Sequence, residues 1–221
     1  MNVFLAVLRK DLLIEWRSRD RVVAMLVFAL LVVVVFQFAL PGGVSARTRE
    51  NAGGLLWVAY VFASLFGLGR AFSLELENDA ISGLALAPGD RGQVFLGKLG
   101  ATLVVLALVQ AVTALAFALV FELSLLPIAA PLAAVVLLGS LGLASIGTLF
   151  SAISVGTRFR EVMLPLLLLP LLVPVLLGAV RATTALLAGG ELPFAPVQLL
   201  IVTDATYLIV SFLAFDFVLD E

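Results

Sequence analysis

The sequence contains no cysteine and no histidine. Without cysteine there are no disulfides, no thiolate chemistry and no cysteine–zinc sites. Without histidine there is no Ser–His pair, no H-E-x-x-H zinc site, no imidazole proton relay and no histidine haem ligand. These two absences remove most enzyme classes. Charge is also scarce: 13% of the 221 residues are charged and the net charge is −2. A soluble domain carries about 25% charged residues, and no positive field points to nucleic acid.

What is abundant is apolar, at 63% of the chain. One water-surrounded core of this size cannot hide that much apolar surface, so lipid is the expected solvent. Six apolar stretches suit a bilayer core of about 30 Å, which needs roughly 20 helical residues. The first runs from Val22 to Leu40 and stops at Pro41-Gly42-Gly43. The second starts near Gly54 and is bounded at Arg70, or extends through Phe72. The others run from about Leu99 to Phe121, Ile128 to Val155, Val162 to Val180 and Val197 to Phe215. The segments between them are short. The expected fold is a single all-α transmembrane domain over residues 1–221, with six transmembrane helices.

Orientation follows from the basic residues. Arg9, Lys10, Arg17, Arg19 and Arg21 precede the first span; Arg70, Arg91 and Lys98 lie between spans two and three; Arg158 and Arg160 lie between spans four and five. Only Arg47, Arg49 and Arg181 fall on the other side. Both termini are therefore expected in the cytoplasm. Val44-Ser45-Ala46 resembles a signal-peptide cleavage site, but the apolar run before it is too long and a charged stretch precedes that run. The first span is expected to remain.

Residues 1–21 read as an interfacial amphipathic helix. Phe4, Leu5, Leu8, Leu12 and Trp16 share one arc at 3.6 residues per turn, with Lys10 and Arg17 opposite. Glu15 and Arg19 interrupt the arc, and Val7, Leu13 and Ile14 fall outside it. Trp16 and the arginines suit the headgroup zone.

The longest loop carries the clearest candidate for a partner contact. A helical pattern from about Phe72 to Ala87 places Glu75, Glu77 and Asp79 ahead of an apolar patch of Ile81, Leu84 and Leu86. Pro88-Gly89-Asp90 then makes a turn. On the cytoplasmic side, such a helix can dock in a partner's groove. From the local pattern alone, a solvated extension of span two reads equally well. Gly92 to Leu99 nearly matches a phosphate-binding loop, but Leu99 stands where the Mg²⁺-ligating Ser or Thr belongs and no strand precedes it. It reads as the cytoplasmic end of span three, with Lys98 at the interface.

Within the membrane, Ser140, Ala144, Thr148, Ala152 and Gly156 form a small-residue stripe for close helix packing. Span five holds Pro165, Pro170 and Pro174, either as a static kink or as a helix that bends during transport. Intramembrane polar residues are few: Gln37, Gln110 and Asp204, the last a turn or two inside span six and within reach of outer-face water. A proton-coupled carrier usually buries several ionisable groups, so a secondary carrier is a weaker reading.

The chain resembles the CcmB family, the membrane subunit of the ABC transporter of cytochrome c maturation. The resemblance rests on the basic amphipathic stretch Phe4 to Arg21, on the acidic loop ending Leu84-Ala85-Leu86-Ala87-Pro88 with Gly97-Lys98 after it, on Leu166 to Pro174 in span five, and on length and span count. It implies an ABC-2 (type V) exporter-like permease whose 72–88 segment is a cytoplasmic coupling helix seated on a separate ABC ATPase. Glu75, Glu77, Asp79, Ile81, Leu84 and Pro88 would make that contact. Leu8, Leu12, Trp16 and Arg17 would serve the interfacial helix, and Pro165, Pro170, Pro174 and Gly156 would serve as hinge and packing positions. The implied partners are the ATPase, other haem-handling subunits of cytochrome c maturation and a second copy of the chain. ATP would bind on the partner, haem would be handled by the complex, and this chain would bind no cofactor itself. The implied role is haem delivery, or release of a haem-loaded chaperone, at the bacterial inner membrane. A generic ABC-2 exporter of a lipid or drug is the alternative.

Overall fold

The computed structural model describes residues 3–40, 46–69, 91–155 and 160–218. Among them the chain forms α1 (Val3–Ser18), α2 (Asp20–Ala39), α3 (Ala46–Gly69), α4 (Arg91–Val120), a 3-10 turn (Leu126–Ile128), α5 (Ala129–Val155), α6 (Arg160–Leu187) and α7 (Phe194–Val218). Helices α2 to α7 are the six that are long and apolar enough to cross a membrane. Helix is the natural choice here, because it satisfies its own backbone groups where no water is present.

Several helices outrun their apolar stretches. α4 starts at Arg91, well before Leu99, and α6 continues past Arg181 to Leu187. Helical hydrogen bonding does not stop where hydrophobicity stops; a buried partner or the headgroup zone can accommodate the extra charge. α6 is continuous through Pro165, Pro170 and Pro174. Its buried stripe is Leu164, Leu168, Leu172, Val175 and Ala179, with Pro165 and Pro174 partly buried beside it and Pro170 exposed.

All six spans share one ordering of ends. Met25 of α2 packs against Gly67 of α3, and Leu68 of α3 packs against Gly147 of α5. Arg91 at the start of α4 donates to the carbonyl of Asp216 near the end of α7, at 2.9 Å. The starts of α2, α4 and α6 and the ends of α3, α5 and α7 therefore gather at one end, here called the base. Two apolar clusters divide the interior. One fills the base half with Met25, Phe95, Leu106, Leu164, Leu168 and Phe215. The other fills the far half with Trp57, Tyr60, Phe117, Phe121, Val175 and Leu200. The lipid-facing sides carry large exposed apolar residues such as Leu31, Phe38, Leu119, Leu166 and Phe217.

Polar pins fix the far half. The Trp57 indole donates to Thr183 Oγ1 at 2.9 Å, tying α3 to α6. The Tyr60 hydroxyl donates to the Gln110 carbonyl at 3.1 Å, tying α3 to α4. The Ser140 hydroxyl reaches Gln110 Oε1 at 2.7 Å, tying α5 to α4. Gly139 makes room for Trp57: a Cβ there would lie 2.3 Å from the ring.

Two substitutions test this half. Gly139→Val should displace Trp57 and cost about 1–3 kcal/mol, the range for overpacking. Thr183→Val keeps the shape and removes one hydrogen bond, which in a membrane averages about 0.6 kcal/mol. Unfolding in mixed micelles checks the order; equal stability of the glycine variant and the wild type would show that the ring is not closely held.

Candidate coupling site at the base of the bundle

The base is organised around the first turns of α4. Gly97 lies against α1, and a Cβ there would come 2.8 Å from Val7 Cβ and 3.0 Å from the Phe4 carbonyl. Gly100, one turn on, faces Leu8. The two glycines let α1 lie directly on α4. Val7, outside the expected apolar arc, becomes the most buried residue of α1, while Leu5 and Trp16 within that arc are 53% and 72% exposed. Leu8 and Leu12 are half-buried and Arg17 is exposed. α1 thus has two apolar faces. One is spent on α4, and the other is left open.

Lys98, read from the sequence as an interface residue, is covered by α1. It is 3% exposed, and its ammonium meets Asp11 Oδ2 of α1 at 3.2 Å. Asp11 is additionally paired with Lys10 at 3.0 Å. The charge that marked a helix end in the sequence is an ion pair between two helices in the fold. No pattern in α1 alone could reveal it, because the partners are far apart in sequence.

The corner between α1 and α2 is equally specific. Arg19 has φ 56, a left-handed conformation that lets the chain turn without a loop. Glu15 closes the corner: its carboxylate pairs with Arg21 Nε at 2.7 Å and accepts the Val22 amide at 3.2 Å. The Ser18 hydroxyl donates to Asp20 at 2.7 Å, and the Arg19 guanidinium lies 5.1 Å from the Trp16 ring centroid. Glu15 and Arg19, which break the amphipathic pattern, are the residues that make the turn.

On its other side α4 meets α7. Phe95 packs on Phe215 and Phe212, with ring centroids 5.4 and 6.4 Å apart. Together with the Arg91–Asp216 bond, this ties the end of α7 to the start of α4. The first turns of α4 are therefore held by α1 on one side and α7 on the other. The segment 70–90 leads directly into them.

Of the expected contact residues, Glu75, Glu77, Asp79, Ile81, Leu84 and Pro88 lie outside the described residues, as does Gly156. Pro165 and Pro174 are partly buried and Pro170 is exposed. Ser140, Ala144, Thr148 and Ala152 are all buried within the bundle. Both tyrosine hydroxyls are engaged inside it: Tyr60 with the Gln110 carbonyl, and Tyr207 with the Leu171 carbonyl. Among the described residues no group of three or more acidic side chains stands ready to hold a metal ion.

Comparison with known proteins covers the same span as the fold. The family described as CcmB protein matches residues 2–220. The heme exporter protein B of Paracoccus denitrificans is 33% identical over 211 residues, covering 95% of both chains. That of Rhodobacter capsulatus is 31% identical, covering 94% of both. That of Pseudomonas aeruginosa is 30% identical, covering 85% of this chain and 83% of its own. A match that begins in α1 and ends beyond α7 takes in every helix of the bundle, so this multi-pass membrane protein belongs to the CcmB family.

Proposed function

We propose that this chain is the membrane subunit of an ABC transporter of cytochrome c maturation, converting ATP hydrolysis on a partner into haem delivery or release of a haem-loaded chaperone. The observation that carries this reading is the end-to-end family match together with relatives named heme exporter protein B. The chain itself is non-catalytic in this reading. ATP binds to a cytoplasmic ABC ATPase, haem is substrate of the complex, and this chain binds neither. Other haem-handling subunits and a second copy of the chain complete the assembly, in the bacterial inner membrane with both termini cytoplasmic. The excess of basic residues on the side of both termini supports that orientation.

The base supplies a mechanism. The 72–88 segment, in an ABC-2-like arrangement, sits on the ATPase, with Glu75, Glu77 and Asp79 set by charge against basic residues there. Ile81, Leu84 and Pro88 fill the apolar part of the contact. Motion of the segment pulls on the start of α4. Because Lys98–Asp11 joins α4 to α1, and Phe95 and Arg91 join it to α7, the displacement passes to three helices together. α6, with its three prolines and their missing backbone donors, is the span that yields most readily.

Two outcomes are expected. Charge reversal of Glu75, Glu77 and Asp79 to lysine should detach or uncouple the ATPase, with insertion into the membrane intact. Normal ATPase co-purification and normal haem-stained c-type cytochromes in that mutant would count against the reading. Lys98→Met should destabilise the chain by about 1.5–3 kcal/mol, since it removes a charge-assisted bond from a mostly buried site and leaves Asp11 with Lys10 alone. The double change with Asp11→Leu should recover most of that loss, as unfolding in mixed micelles will show.

A further inference from the structure

Asp204 has no part in the coupling scheme, and its surroundings are unlike those of any other acid described. It lies ten residues into α7, about 15 Å along the helix at 1.5 Å per residue. It is 2% exposed, so the outer-face water expected from the sequence does not reach it. Neither carboxylate oxygen has a side-chain hydrogen-bond partner among the described residues; the polar group that lies against it is the Gly142 backbone of α5. Gly142 of α5 makes room for the group: a Cβ there would stand 2.3 Å from Asp204 Oδ1 and 3.0 Å from Val175 Cγ2 of α6. The acid thus sits where α5, α6 and α7 meet.

Among the described residues no fixed positive charge stands opposite. α7 packs mainly on α4, α5 and α6. α5 contains no ionisable residue. In α6 these are Arg160 and Glu161 at its start and the exposed Arg181 beyond the apolar stretch. In α4 they are Arg91 and Lys98, both in its first turns and engaged with Asp216 and Asp11. α7 itself adds Tyr207, bonded to the Leu171 carbonyl, and Asp216 near its end.

The other buried polar groups sharpen the contrast. Gln110 Nε2, a donor, also has no acceptor among the described residues, but that amide is neutral and its Oε1 accepts the Ser140 hydroxyl. A carboxylate carries a charge as well. Thr148 and Ser211 are fully buried with unpartnered hydroxyls. α5 and α7 run in the same direction and meet at Gly142 and Asp204, so Thr148 and Ser211, six and seven residues on, reach a common level about 10 Å nearer the base. Below the acid, each of the two helices thus carries one buried hydroxyl that has no partner among the described residues.

The location is also mechanical. Val175 and Leu200 belong to the far apolar cluster and Leu168 and Leu172 to the base cluster, while Tyr207 touches both. Pro174 deprives the Pro170 carbonyl of its helical donor at the same level of α6.

We propose that Asp204 is a binding site for a small monovalent cation, a proton or a sodium ion, set in the junction of α5, α6 and α7. An ionised carboxylate with no counter-charge is too costly in a bundle surrounded by hydrocarbon. Bound cation neutralises it and lets the junction close. Bending of α6 at Pro170 and Pro174 admits water, and the cation then leaves past Thr148 and Ser211. Occupancy therefore follows the packing of the two halves against each other. The site goes beyond the coupling scheme and stands whether or not that scheme holds.

Infrared spectroscopy of the full chain in lipid vesicles tests this, with ¹³C-labelled aspartate, near pH 7 and without sodium. A proton site gives a protonated-carboxyl carbonyl band that shifts with the label and vanishes in Asp204→Asn. A sodium site gives instead a thermal stabilisation by sodium chloride over choline chloride, present in the wild type and absent in the variant. Should the asparagine variant fail to insert, Asp204→Glu keeps the acid but removes it from the label. A labelled protonated band that survives the substitution overturns the proposal, as does the absence of both the band and the sodium response.

Discussion

Hydrocarbon offers no hydrogen bonds, so every polar group that enters it must find its partner inside the bundle. Most of the interior obeys this rule. Ser64, Thr113, Ser145 and Ser151 donate to carbonyls one turn back in their own helices. Trp57, Tyr60 and Gln110 bond across helices and hold the far half together. Lys98 meets Asp11 at the base. Each bond is small, about 0.6 kcal/mol on average in a membrane. Their joint effect is to allow only one register of the helices.

The same rule divides the molecule into halves of different character. The far half is pinned by side chains that bridge helices and by aromatic packing of Phe117 on Phe121, with centroids 4.4 Å apart. The base is held through the start of α4, which is shared by α1 and α7. Between the halves lies Asp204, an intramembrane acid with no side-chain partner among the described residues.

The number of spans was legible because hydropathy reports directly on the solvent around each helix. Helix ends were less legible. Lys98 looked like the boundary of a span and Arg91 like a loop residue, yet α4 begins at Arg91, where the Asp216 carbonyl meets it, and Lys98 lies inside the helix, paired with Asp11. Of the arc drawn through Phe4, Leu5, Leu8, Leu12 and Trp16, Leu5 and Trp16 lie open while Phe4 and Leu8 meet α4, and the arc missed Val7, the most buried residue of the face on α4. That face depends on Gly97 and Gly100, whose meaning appears only when α1 lies against them. Glu15 and Arg19 read as defects and proved to form the corner. Asp204 was visible as an intramembrane acid, but its depth depends on α7 beginning at Phe194 and on Gly142 receiving it. Such facts arise from pairs of residues distant in sequence, which no single-helix pattern contains.

The account turns on which companion grips the segment before α4. A photo-crosslinking amino acid placed at Ile81 in living cells measures this most directly. The account requires a crosslink to the cytoplasmic ATPase of the transporter, lost when the ATPase is deleted. It is contradicted if position 81 crosslinks to no ATPase, or if a membrane-impermeant reagent modifies that position from outside the cell membrane.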